Sequence, residues 1–109
     1  MSRPTGLLVL FLAAILEAGG DALVRSALHT SATTTRFAFF VLGALVLFSY
    51  GYVVNRPPWD FGRLLGIYVV FFFLVAQTIS WLVFSQRPTI PIVIGGAFVV
   101  LGGIVMSVF

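Results

Sequence analysis

Leu7-Leu8-Val9-Leu10-Phe11-Leu12-Ala13-Ala14-Ile15-Leu16-Glu17-Ala18-Gly19-Gly20 decides the reading of this chain. An unbroken apolar run leads into a carboxylic acid, and small residues follow it. A helix rises 1.5 Å per residue, so Glu17 lies about 16 Å along a helix that starts near Gly6, close to the middle of a bilayer core about 30 Å thick. An acid at that depth costs about 2.5–3.5 kcal/mol on insertion scales. Such a carboxylate usually faces a bundle interior or a wet cavity and takes part in ion or proton handling. Leu10, Ala13, Ala14, Gly20, Asp21 and Val24 share its helical face. The small ones, Ala13, Ala14 and Gly20, leave room for a ligand or a neighbouring helix.

Composition agrees with that solvent. Of 109 residues, 61% are hydrophobic and 8% charged, and the mean hydropathy is +1.17. Soluble domains carry about 25% charge, so most of this surface belongs in lipid. A chain this short makes one domain, residues 1–109. It has no cysteine, which excludes disulfides and thiolate metal sites. Its six basic residues are all arginines, scattered at segment ends, and no basic cluster exists to hold nucleic acid. The net charge of +3 reads as interface anchoring.

Four apolar segments follow, at 6–28, 37–54, 61–84 and 90–109, each near the ~20 residues that cross a bilayer as a helix. Pro4 suits a helix start. The polar stretch His29 to Arg36, the breaker Pro57-Pro58 with Trp59 and Asp60, and Ser85-Gln86-Arg87-Pro88-Thr89 separate the segments. A cleaved signal peptide is the plainer alternative for the first segment, but an acid just before the cleavage position and a lone arginine ahead of the apolar run argue against it. With four crossings, Arg3, Arg56 and Arg63 fall on one side and Arg25, Arg36 and Arg87 on the other. The positive-inside rule then gives no orientation bias, as expected of a chain inserted both ways or of small numbers balancing by chance.

A carboxyl at Glu17 can take a proton from one compartment and release it to another, or trade it for a cation. The two occupants exclude each other, which is the simplest chemistry for antiport. A neutral acid that merely bonds a partner helix is the structural alternative. Asp21 and Arg25 stand in the favourable acid-then-base order one turn apart and read first as an ion pair; the sharper reading makes Asp21 a second acid of the site. Tyr68, Trp81, Tyr50 and Tyr52 offer π faces to a cation. Tyr68 stands out, being mid-helix with a hydroxyl that wants a partner. Ser49 and Gln77 are intramembrane polar groups that read as helix–helix contacts or ligands. Gly95 and Gly102 are two turns apart on one face of the uncharged last segment, a surface for close helix approach and hence for dimerisation.

Leu12-Ala13-Ala14-Ile15-Leu16-Glu17 with Gly20 and Arg25 resembles the glutamate motif of the small multidrug resistance family, within the drug/metabolite transporter superfamily. Trp81, Gln86-Arg87, Pro91, Ile94-Gly95 and Gly102 resemble that family's third loop and fourth helix. The third segment departs: the family's glutamate-orienting tyrosine falls at Leu65 and its tryptophan at Tyr68. Gly62-Arg63-Leu64-Leu65-Gly66-Ile67-Tyr68 is closer to a related small inner-membrane branch of the superfamily. The resemblance implies an antiparallel homodimer whose two glutamates share one proton-or-cation site, with helix four making the dimer contacts.

The resulting expectation is an all-α membrane protein with four transmembrane helices per subunit in a dimeric bundle, in a bacterial-type cytoplasmic membrane. It exports small or hydrophobic organic cations against protons, with Glu17, Tyr68, Trp81, Ala13, Gly20 and Ser49 at the site. A non-transporting assembly or regulatory subunit, and a lipid-linked carrier flippase of the same superfamily, are the alternatives. No enzymatic activity, metal or cofactor is expected, since the only histidine, His29, lies in a loop and no nucleophile–base pair appears.

Overall fold

Each of the four apolar segments folds as one helix because lipid leaves backbone N–H and C=O groups no partner but each other. The computed structural model describes residues 1–109. It holds α1 (Arg3–Leu28), α2 (Thr33–Val54), α3 (Phe61–Phe84) and α4 (Ile90–Val108), with no strand. All four are long and apolar enough to cross a membrane, and the chain is an integral membrane protein of helical rather than barrel type.

Helix ends follow local chemistry. The Ser2 hydroxyl caps α1 by accepting from the Thr5 N–H at 3.4 Å, and Pro4 occupies the first turn, where its missing N–H costs nothing. Arg25 sits in the last turn of α1, where a cation meets the negative helix end. α2 begins at Thr33, ahead of the apolar run at Phe37. α3 stops at Ser85, the one non-glycine residue with positive φ (56°). The Gln86 N–H closes that turn onto the Ser80 carbonyl at 3.0 Å, and Pro88 then prevents continuation.

Packing places the helices in the order α2–α1–α3–α4, with backbones in close approach only between neighbours in that row. The molecule is 49 × 34 × 18 Å. The backbone of α4 comes close to α3 alone, so the helices form an open row rather than a closed bundle.

Small residues set each seam. Gly20 of α1 lies against Leu47 of α2, and Gly43 of α2 lies against Val24 and the Gly20 carbonyl. On the other side, Gly96 and Gly103 of α4 receive Phe73 and Val70 of α3, while Gly66 of α3 receives Met106. Between these seams, Leu10, Ala13 and Ala14 of α1, Val54 of α2, and Leu64, Ile67 and Tyr68 of α3 form the one buried core. Most other large apolar side chains point outward, among them Phe48, Leu82, Ile90 and Phe98. That is the exposure lipid demands of a membrane helix.

Candidate functional site

The site is built on α1 because its buried residues are small. Ala13, Ala14, Ala18 and Gly20 let α2 and α3 approach on either flank, and Glu17 falls between those flanks. Its carboxyl meets α3 directly: the Tyr68 hydroxyl donates to Glu17 Oε1 at 2.7 Å and also lies 3.4 Å from the Ala13 carbonyl oxygen. Tyr68 is itself only 3% exposed. Its ring stacks on Phe72 with centroids 6.2 Å apart, and the Tyr50 ring of α2 tilts against it at 5.7 Å. The three rings form an aromatic wall beside the carboxyl, held by the helices on both sides of α1.

No cation of the chain neutralises Glu17. Arg3 and Arg63 donate to Ser107 at the far end of α4. Arg25 lies over the Phe84 ring at 5.3 Å, Arg36 over Phe40 at 5.8 Å, Arg56 over Tyr52 at 5.4 Å and Arg87 over Trp81 at 5.3 Å. All six guanidiniums are thus engaged near helix ends. A carboxyl with one hydroxyl donor and no basic partner keeps acceptor positions for a proton or a positive guest.

The expected site residues divide into two groups. Glu17, Tyr68, Ala13 and Gly20 come together: Ala13 is fully buried beside the tyrosine hydroxyl, and Gly20 makes room for Leu47 of α2. Trp81 and Ser49 stand apart. Trp81 is 13 residues beyond Tyr68, about 20 Å along α3, and is 49% exposed beneath Arg87. The Ser49 hydroxyl donates to its own helix at the Leu45 carbonyl, 2.9 Å away, and faces outward. Gly95 and Gly102 are open, with nothing within 4 Å of an added Cβ.

One expectation is corrected. Asp21 and Arg25 do not form the ion pair that their spacing suggests, because Arg25 swings across to the Phe84 ring of α3. Asp21 and Arg25 both line a groove between α1 and α3, together with Ser80, Phe84 and Gln86.

Two residues gain weight from the geometry. Leu65, at the register of the expected tyrosine, packs on the core, while Tyr68 one turn later reaches the carboxyl. Tyr50 completes the wall. The sequence offered it only as one of four rings open to a cation; its place against Tyr68, one turn from the end of α2, comes from the packing.

The chain resembles a UPF0060 membrane protein of Herpetosiphon aurantiacus. The two are 30% identical over 70 residues, which is 62% of this chain and 64% of that protein. The match therefore spans less than two thirds of either sequence. No family model matches the chain, and no solved structure does. The bacterial relative and the helical spans fit a bacterial cytoplasmic membrane.

The hydroxyl bond has a measurable weight. Tyr68→Phe keeps the ring contacts with Tyr50 and Phe72 and removes only the donor to Glu17. The expected result is a folded protein destabilised by about 1 kcal/mol, the net value of one such bond, read as a lower midpoint of unfolding in detergent. An unchanged midpoint would show that the bond is not formed in the membrane protein.

Proposed function

We propose that two copies of this chain form a proton-coupled exporter of small or hydrophobic organic cations, in which Glu17 holds either a proton or the cation. The observation that carries the reading is the carboxyl itself: near mid-span, bonded by the Tyr68 hydroxyl and left unpaired by every arginine. Intramembrane acids with these properties mark ion and proton pathways by default. The rings of Tyr50, Tyr68 and Phe72 supply the π faces that suit an organic cation shedding its water.

An open row of four helices encloses no path across a bilayer, which supports a second copy as the other wall. The open glycines Gly95 and Gly102 offer that copy a close-packing face on α4. The balanced arginines, three at each end, suit antiparallel insertion, and the resemblance of the Glu17 and helix-four motifs to the small multidrug resistance family points the same way. Transport then follows from one half of the dimer rocking against the other about the midplane site.

The test is proton release from the full chain, solubilised in detergent and weakly buffered, on addition of tetrapropylammonium. Release that saturates with the cation is expected. Absence of release, with cation binding unchanged in Glu17→Gln, would leave Glu17 a structural acid and favour an assembly or regulatory subunit.

A further inference from the structure

A second polar site lies far from Glu17, where the start of α1, the α2–α3 connection and the end of α4 meet. A cavity of about 420 Å³ opens there, lined among others by Arg3, Trp59, Asp60, Arg63, Ile67 and Ser107. Two guanidiniums from different helices converge on one residue. Arg3 Nη2 donates to the Ser107 carbonyl at 2.9 Å and to its hydroxyl, and Arg63 Nη2 donates to the same carbonyl at 3.3 Å. The negative end of α4 accounts for one bond from each. It does not account for their other donors, since each guanidinium carries five N–H groups in a fixed fork.

The remaining walls specify the guest. Asp60 lines the same cavity, while Arg63 is directed to Ser107; two positive charges and one negative leave a single positive charge. Trp59 is fixed as a wall because its ring rests on Gly6, where even a Cβ would collide with it. Ile67, one turn deeper into the membrane than Arg63, lends an apolar surface on the side away from water. The cavity is therefore cationic at the helix ends and apolar below, at the depth where tryptophan marks the membrane–water boundary.

We propose that this cavity binds the phosphodiester headgroup of an anionic phospholipid. The Arg3 and Arg63 forks donate to its oxygens, and Trp59 and Ile67 flank the glycerol end. A guanidinium fork matches the geometry of a phosphate, and a phosphodiester carries the one negative charge that balances the site.

The experiment uses the full chain bearing Trp81→Phe, so that Trp59 is the sole tryptophan. Its emission is followed in detergent during titration with phosphatidylglycerol, with phosphatidylcholine of the same acyl chains, and with inorganic phosphate. Phosphatidylglycerol is expected to bind about tenfold more tightly than phosphatidylcholine, whose phosphate offers the same oxygens but whose choline ammonium brings another positive charge beside the two guanidiniums. Arg3→Gln with Arg63→Gln should remove that preference. Arg36→Gln with Arg87→Gln, which deletes the same charge elsewhere, should keep it. Arg3→Lys with Arg63→Lys retains charge without the fork and should fall between. Equal affinity for the two lipids, or a preference lost equally in both glutamine pairs, overturns the proposal. Displacement of phosphatidylglycerol by inorganic phosphate at equal concentration also overturns it, assigning the site to free phosphate.

Discussion

Glu17→Gln is expected to lower the affinity for a lipophilic organic cation by about a hundredfold and to make the remaining binding independent of pH. The carboxylate supplies the negative charge bonded directly to the aromatic wall formed by Tyr50, Tyr68 and Phe72. Interactions with a charged group are worth about 1.5–3 kcal/mol each, and 2.7 kcal/mol is a factor of about a hundred. In the unaltered protein proton and cation compete for one carboxyl. Cation affinity therefore falls as pH is lowered and Glu17 fills with protons, approaching about tenfold per pH unit when the neutral form dominates. The amide holds no exchangeable charge and shows neither effect. Glu17→Asp keeps the charge on a shorter arm, away from the Tyr68 hydroxyl, and should bind more weakly with its pH dependence intact. Equilibrium dialysis across a pH series measures all three forms. A glutamine form that retains a steep pH dependence would move the chemistry to Asp21.

Gly43→Leu should cost about 2–3 kcal/mol of stability and weaken the carboxyl site as well. A Cβ at Gly43 would stand 2.8 Å from a Val24 methyl and 3.3 Å from the Gly20 carbonyl oxygen. The branched Val24 has little freedom to turn aside, and the carbonyl belongs to the α1 backbone. α1 and α2 must therefore separate, an overpacking cost of about 1–3 kcal/mol or more that outweighs the roughly 1 kcal/mol gained in helix propensity. Separation also draws Tyr50 away from Tyr68, so cation affinity should drop alongside the unfolding midpoint. Gly51→Ala is the opposite case on the same helix. Nothing lies within 4 Å of its added Cβ, and stability should be unchanged or rise by up to about 1 kcal/mol. Equal losses in the two variants would mean that the Gly20–Gly43 approach is not what holds α1 to α2.

Much of this was legible in the residues. Four spans follow from hydropathy and breakers, because a bilayer leaves short apolar segments no alternative to helices. Glu17 announces itself by cost, and Tyr68 by a phenol in an apolar helix. Hydropathy carries no information about lateral order, however, since every helix is apolar on nearly all sides. The row α2–α1–α3–α4 emerges only from which small residue meets which large one. Gly95 and Gly102 repeat every seven residues, but so do Gly96 and Gly103; only the fit of Phe73 and Val70 shows which pair faces α3. Trp81 shared the aromatic character of the site without its depth. The Asp21–Arg25 spacing was sound for an isolated helix, yet the neighbouring Phe84 offered the guanidinium a different partner.

The backbone of α4 approaches α3 alone, and Arg3 of α1 reaches it at Ser107. The acid and the rings around it belong entirely to the first three helices. Apart from Gly96 and Gly103, which seat α3, and Ser107, which receives the two arginines, residues 90–108 can change without touching Glu17, Tyr50, Tyr68 or Phe72. Under the dimeric reading proposed above, such a layout would let a gene duplicate diverge into a set of non-identical siblings that keep the Glu17 site.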